Sequence, residues 1–533
     1  MKLHPRTIFL LLTILMAGFF IWPELNFQDN ISQGDHGRDL YAFDAVTHGK
    51  LPYKDFWWVY GPLMPYYYGL FFKIFGVRIT SILLGRALLV VACSVFFYLS
   101  AACLMSPGLA FLAASWFTQS RQEFFFTYNH IAGIAAELII CWCLLSYTRI
   151  ESMRYLWIAL IADFVLGLVK INFGLAGLCG IVLSVLLIDF AKKYPFNAPK
   201  KRFYLAAAGL IPLLLGLIYW LLLKDLPFYA IRQCMPYFGD DQPHHAPPLL
   251  VIPYYFTQHW LTFIHTPVDI AIGIILHGCT LLSLYLLITK KIEKTYRQEI
   301  LLGLAMIGVF FVVYFHEFLV SAVWYRCYWS LPFLVLFNFV MIAVAFGLIP
   351  KFLRILILVF FGALTALGIV AHIGSIQSQK HPYNYLSMPR GQIYVGNEPE
   401  WTDTVNKVTS FLNTTLKKGD LFFAMPYDCL YYYLTGKESP TRQLIFFDHI
   451  KIPQQQEISV IKELESHKIR LVLMSNRIVS DELGLGIFGK TYCPLLSQYI
   501  HENFSPLVRQ GGDWTKPPKP NSNHGVIILK RNP

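Results

Sequence analysis

Gln33-Gly34-Asp35-His36-Gly37-Arg38-Asp39 follows a first apolar segment, Thr7–Pro23, and runs on through THGKLPYKDF (47–56) to YGPLMPYYYGLFFKIFG (60–76). The reading of this chain turns on that stretch. It sets four carboxylates (Asp35, Asp39, Asp44, Asp55) and two cations (Arg38, Lys54) among aromatic residues beside a hydrophobic run. Ionisable groups at a membrane face are costly unless they are paired or put to use. Chemistry is expected here first.

Outward from this loop the chain is unusually apolar. Of 533 residues, 56% are hydrophobic, 16% aromatic and only 14% charged. A soluble domain carries about 25% charged residues. The formal charge of +12 is not spread as a nucleic-acid surface would be. Its Lys and Arg residues gather in short connections: Lys2 and Arg6; Arg149 and Arg154; Lys192, Lys193, Lys200, Lys201 and Arg202; Lys290, Lys291, Lys294 and Arg297; Lys351 and Arg354. That is the positive-inside pattern of a polytopic membrane protein, and it argues against a nucleic-acid partner. The N-terminus resembles a signal peptide, but no small-x-small cleavage site follows, so an uncleaved first helix is expected. The 10 cysteines show no metal-ligand spacing. Cys429 and Cys493 either pair in an oxidising compartment or stay free.

A span needs about 20 apolar residues. That template predicts about eleven helices: Thr7–Pro23, Ile79–Cys103, Gly108–Thr118, Ile131–Thr148, Tyr155–Val169, Phe173–Phe190, Phe203–Leu223, Val268–Thr289, Leu301–Phe315, Tyr328–Leu348 and Phe352–Ile373. Tyr66–Phe75, interrupted by Lys73, reads as a helix lying at the interface. With the N-terminus in the cytoplasm, every basic cluster falls inside. The first loop (24–78), the long connection (224–265) and everything beyond Ile373 then fall outside.

The expected organisation is a transmembrane domain over 1–373 and a small extracytoplasmic α/β domain over 374–533. In the latter, Val405–Thr415 and Ile458–Ser466 read as helices, and Leu421–Met425, Leu471–Met474 and Val526–Leu529 as strands. The run Tyr431-Tyr432-Tyr433 reads as strand core.

On this topology the outer face collects Asp35, Arg38, Asp39, Lys54, Asp55, Arg121, Glu123, Asn129, His130, Lys170, Asn172, Asp240, Asp241, His244, His245, His316, Glu317, Arg326 and Tyr328. Cations at the lipid interface suit the phosphate of a lipid carrier. A carboxylate in a partly enclosed site can take the proton of an acceptor hydroxyl. Those are the parts that sugar transfer from a lipid phosphate needs.

The first loop, acidic-x-Gly followed by THGKLPYKDF and YGPLMPYYYGLFFKIFG, also resembles that of bacterial GT-C glycosyltransferases. These include the dolichyl-phosphate-mannose protein mannosyltransferase-like (glycosyltransferase family 39-like) and aminoarabinose-transferase-like families. Gly167–Gly174 is similar to their Lys-containing turn between spans, and Tyr325–Pro332 to their aromatic-then-proline motif. MPYDCLYYYLTGKESPTR (425–442) is similar to their outer C-terminal part. The resemblance implies a polytopic enzyme of the bacterial cytoplasmic membrane with its active site facing out. It would move sugar from a polyprenyl-phosphate donor to an envelope glycan, lipid or protein. It implies an acidic first-loop residue as base, for which Asp35 is the best positional match; Lys170 and Arg326, as cations at the lipid interface, are expected to assist the donor phosphate. Many relatives carry two adjacent acids at this point, whereas here His36 follows Asp35. A two-carboxylate metal site is therefore not favoured, and no cofactor is expected.

Plainer roles stand beside these. Asp35 either acts as base or caps a helix starting near Arg38, with Asp39 and Asp44 as alternative bases. The substrate-contact candidates are Arg38, Lys54, Asp55, Tyr60, His130, Lys170 and Arg326. Among them, Lys54 and Asp55 could form only an exposed ion pair, and Lys170 could snorkel to headgroups. Two other functions use the same parts: a flippase for lipid-linked sugars, or a non-catalytic envelope assembly protein.

Overall fold

The computed structural model describes residues 4–120, 128–192, 199–235, 267–289, 291–321, 324–396, 398–480, 484–519 and 521–533. In chain order its first helices are α1 (Pro5–Ile21), α2 (Asp35–Thr47), α3 (Leu63–Phe75), α4 (Ile79–Ala101), α5 (Pro107–Ser120), α6 (Tyr128–Ile150), α7 (Met153–Val169), α8 (Ile171–Lys192), α9 (Pro199–Leu223) and α10 (Phe228–Cys234). There follow α11 (Pro267–Ile288), α12 (Lys294–Tyr314), α13 (His316–Ser321), α14 (Leu331–Ala345), α15 (Lys351–Gln379), α16 (Pro399–Thr415), α17 (Cys429–Thr435), α18 (Gln454–Ser466) and α19 (Pro494–Asn503). Strands β1 (Phe27–Gln28), β2 (Tyr385–Leu386), β3 (Ile393–Val395), β4 (Phe423–Met425), β5 (Leu471–Ser475), β6 (Phe504–Gly511) and β7 (Gly525–Arg531) complete the set.

Among the described residues, nine helical stretches are long and apolar enough to cross a bilayer. The two expected spans that fall short are Gly108–Thr118 and Tyr155–Val169, which lie in α5 (14 residues) and α7 (17 residues). At 1.5 Å per residue these helices reach about 21 and 25 Å, against about 30 Å of hydrocarbon.

The chain divides into two compact units. The first comprises Met1–Trp22, Ala87–Leu217 and His244–Ile373. Within it α6 packs on α7, α7 on α8, α8 on α12, and α11 and α12 on α14. Apolar burial does not drive association between helices in lipid; close approach does. The α7–α8 crossing shows this: a Cβ on Gly174 would lie 2.4 Å from the Cα of Gly167, so only glycine fits. These two glycines flank Lys170. Deeper in the unit, the carboxyls of Glu137 and Asp163 are fully buried and have no hydrogen-bond partner among the described residues.

The second unit comprises Pro23–Arg86, Ile218–Pro243 and Gly374–Pro533. The C-terminal segment thus folds together with the first loop. β1 pairs in parallel with β3 (Phe27↔Tyr394), and β2 pairs antiparallel with β3. The larger sheet has the order β4-β5-β7-β6, with β4 and β5 parallel and the other pairs antiparallel. Val460, Leu464, Leu496 and Ile500 from α18 and α19 pack on Phe423, Met425, Val472 and Leu529 of this sheet. Helix α16 is amphipathic, burying Trp401, Val405, Val408 and Leu412 at three- and four-residue spacing. Each such side chain contributes about 1.5–3 kcal/mol on burial.

The predicted C-terminal helices and strands are present within a few residues, but β6 and α19 were not anticipated. The tyrosine run is a correction: Tyr431, Tyr432 and Tyr433 lie in helix α17, not in a strand, and all three are buried. Gly436, in the left-handed region at φ 66°, ends that helix. The expected interfacial segment is α3, which buries Met64, Tyr68, Phe71 and Phe72 and exposes Tyr66, Leu70 and Ile74. None of the ten cysteines, all within the described residues, forms a disulfide, and Cys429 and Cys493 are both buried.

Candidate functional site

The second unit holds the first-loop cluster. Helix α2 begins at Asp35, and Gly34 before it has φ 98°, a left-handed conformation that favours glycine. Gly34 holds the N-cap position and Asp35 is the first helical residue. Positions 35 and 38 share a helix face, and Arg38 Nη1 donates to Asp35 Oδ1 at 3.1 Å. The same guanidinium donates through Nε and Nη2 to Asp39 Oδ1, at 2.9 and 2.7 Å. Arg38 is 3% exposed and Asp39 not at all, whereas the Asp35 side chain is 30% exposed. Burial pushes the Asp39 carboxyl up to about 6, against the opposing pull of Arg38. Arg38 also lies over the rings of Tyr60 (5.1 Å) and Trp58 (5.7 Å), within cation–π range.

The turn before α17 adds a residue the sequence reading did not single out. Tyr427 donates from its hydroxyl to Asp35 Oδ1 at 2.5 Å. Its ring packs on the bare backbone of Gly34, where a Cβ would stand 2.6 Å away. Phe447 meets Tyr427 edge-on, and His449 stacks on Phe447 within electrostatic reach of Asp35. No sequence signal joins these groups, because Tyr427 and Asp35 are 392 positions apart.

The other first-loop carboxylates are committed elsewhere. Asp44 binds Arg390 at 2.5 Å. Asp55 accepts from the backbone N–H of Leu51 at 2.7 Å and closes a turn; both it and Lys54 are exposed. His36 is buried against Gln28, and burial drives its pKa down to about 4, so it is neutral at ordinary pH.

The first unit holds the second cluster. Lys170 is the extended residue between α7 and α8, closing one helix and opening the next through its own N–H and C=O. Its Nζ donates to Glu317 Oε1 at 2.5 Å, and Arg326 Nη1 donates to the same oxygen at 3.3 Å. Asn172 donates to Glu317 Oε2 and to His316 Nε2, both at 2.9 Å. His316 Nδ1 faces the Val313 carbonyl at 2.6 Å, so Nδ1 carries the proton and Nε2 accepts. Phe173 and Trp329 lie 5.0 and 5.4 Å from the ammonium. His130 meets Trp329 edge-on. Glu317 is 1% exposed, Lys170 11% and Arg326 23%, so Arg326 is the most open of the three ions. One carboxylate is thus shared by two cations.

Of the predicted site residues, Asp35, Arg38 and Tyr60 come together in one cluster, and His130, Lys170 and Arg326 in the other. Lys54 and Asp55 stand in neither. Arg121, Glu123, Asp240, Asp241, His244 and His245 lie outside the described residues. Among the described residues, no three His, Cys, Asp or Glu side chains gather as metal ligands would.

With nine helical stretches among the described residues long and apolar enough to cross a bilayer, this is an integral membrane protein, and its fold is one already seen in solved structures. It is similar to ArnT from Cupriavidus metallidurans, solved bound to undecaprenyl phosphate (TM-score 0.54) and in the apo state (TM-score 0.56). In both comparisons the identity is 11%, covering 98% of this chain and 97% of that chain. The Archaeoglobus fulgidus oligosaccharyltransferase in the apo form is a weaker likeness, with TM-score 0.46 and 11% identity over 95% of this chain and 73% of that one. No protein-family model and no curated protein matches the sequence. At these identities the likeness is one of fold.

Proposed function

We propose that this protein is a glycosyltransferase. It moves a sugar from a polyprenyl-phosphate-linked donor to an envelope glycan, lipid or protein on the outer side of the bacterial cytoplasmic membrane. The observation that carries the reading is the Lys170–Glu317–Arg326 cluster. Its two cations, on a fold similar to one solved with undecaprenyl phosphate, suit a lipid phosphate.

In this reaction the acceptor hydroxyl gives its proton to Asp35 and its oxygen bonds to the anomeric carbon. The bond from that carbon to the donor phosphate oxygen breaks, and the polyprenyl phosphate leaves with the electron pair. Arg326, with Lys170 beside it, is the proposed counter-charge for that phosphate. Asp35 is favoured over its neighbours because Asp39 is fully buried, Asp44 is held by Arg390 and Asp55 closes a local turn. Metal-independent transfer, with the phosphate held by Arg326 and Lys170, is the simpler reading. Placement of the active side rests on the distribution of Lys and Arg.

The test is mass spectrometry of envelope lipids and glycans from a deletion strain. One missing sugar with accumulated polyprenyl-phosphate sugar is the expected result. Unchanged glycans with a mislocalised carrier would instead identify a flippase.

A further inference from the structure

We infer that Tyr427 is a positioning residue for Asp35: the C-terminal segment supplies a hydroxyl that fixes the orientation and basicity of the first-loop carboxylate. This inference rests on the reading of Asp35 as base.

Three observations carry it. The Tyr427 hydroxyl donates to Asp35 Oδ1 at 2.5 Å, and the Arg38 guanidinium donates to the same oxygen at 3.1 Å. The phenol cannot drift away, because its ring is 8% exposed and is seated on the Gly34 backbone, with Phe447 edge-on against it. It also stays a donor: burial raises its pKa well above the ordinary phenol value, and Asp35 adds to that, while Arg38 opposes it. A hydroxyl donating to a carboxylate favours the ionised form. Tyr427 therefore keeps Asp35 ready to accept a proton while restricting its rotamers.

Other groups also act on this carboxylate. From α2 come His36, Arg38 and Asp39. From the C-terminal segment come Cys429, beside Tyr427, and His449. The loop side contributes Tyr60, facing Arg38.

The experiment uses the full-length protein in lipid nanodiscs. Infrared pH titration follows the carboxylate band that disappears in Asp35→Asn, which separates Asp35 from Asp39. In Tyr427→Phe that band is expected to titrate at higher pH, with thermal stability close to wild type. In the deletion strain, Tyr427→Phe is expected to restore about a tenth of the wild-type glycan product. Incorporation of 3-fluorotyrosine at 427, a stronger donor of the same shape, should move the band to lower pH and covers the case in which Tyr427→Phe does not fold. An unchanged midpoint in both variants overturns the inference. If Asp35→Asn abolishes the product while Tyr427→Phe behaves as wild type, the inference fails alone. If Asp35→Asn retains the product, the reading of Asp35 as base fails, and the titration still decides whether Tyr427 tunes that carboxylate.

Discussion

The two ion clusters are inversions of each other. In the first-loop cluster a buried cation, Arg38, is shared by two carboxylates, and the more exposed of these is Asp35. In the Lys170 cluster a buried carboxylate, Glu317, is shared by two cations, and the more exposed of these is Arg326. Each uses one deeply buried charge of opposite sign to hold two others. A carboxylate can accept a proton, and a guanidinium can bind a phosphate. On the proposed function, the first cluster suits a base and the second a phosphate contact.

The comparison can be broken at its buried members first. Glu317→Gln would leave Lys170 and Arg326 facing each other without their shared counter-charge. Removing one partner of a buried pair costs about 3–5 kcal/mol, so thermal unfolding in detergent should show a large loss of stability. A stability within error of wild type would mean that the cluster is not held by charge. Next in size, Arg326→Ala should weaken binding of undecaprenyl phosphate by about tenfold, corresponding to one charge-assisted bond. In isothermal titration that loss should shrink as salt is raised. Lys54→Ala lies outside both clusters and should change stability by no more than about 0.5 kcal/mol, with envelope glycans unchanged.

A pH-dependent prediction concerns Glu398, away from either cluster. Burial raises its carboxyl from 4.5 to about 7, partly offset by the bond from Ser32. A carboxyl whose folded pKa is raised contributes stability that is present below its unfolded pKa and lost as pH rises through its folded pKa. Wild type should therefore lose stability relative to Glu398→Gln between about pH 4.5 and about pH 7. Parallel melting temperatures for the two proteins across that window would contradict the assignment.

How much of this was legible in the sequence follows from distance along the chain. The Asp35–Arg38–Asp39 cluster lies within one helical turn, so spacing alone brings it together. Glu317, Lys170 and Arg326 were each recognisable as polar groups at span ends. Their shared contact was not, because Lys170 and Glu317 are 147 positions apart. Tyr427 carried no local signal, and three consecutive tyrosines after it favoured a strand by propensity. Tertiary packing, which buries all three in α17, overrode that preference. The membrane helices were readable from hydropathy, and even the two shortest, α5 and α7, lie within two residues of the expected bounds. The sequence reading places the first loop within the domain over 1–373, and β1 pairs with β3 across more than three hundred residues. Such non-local pairing leaves no periodicity to find.

The most direct test of the account is complementation of the deletion strain with Asp35→Asn, with membrane insertion verified and envelope lipids and glycans read by mass spectrometry. The account predicts a properly inserted protein, loss of the transferred sugar by at least about a hundredfold, and accumulation of its polyprenyl-phosphate donor. Near-normal transfer by Asp35→Asn would contradict it.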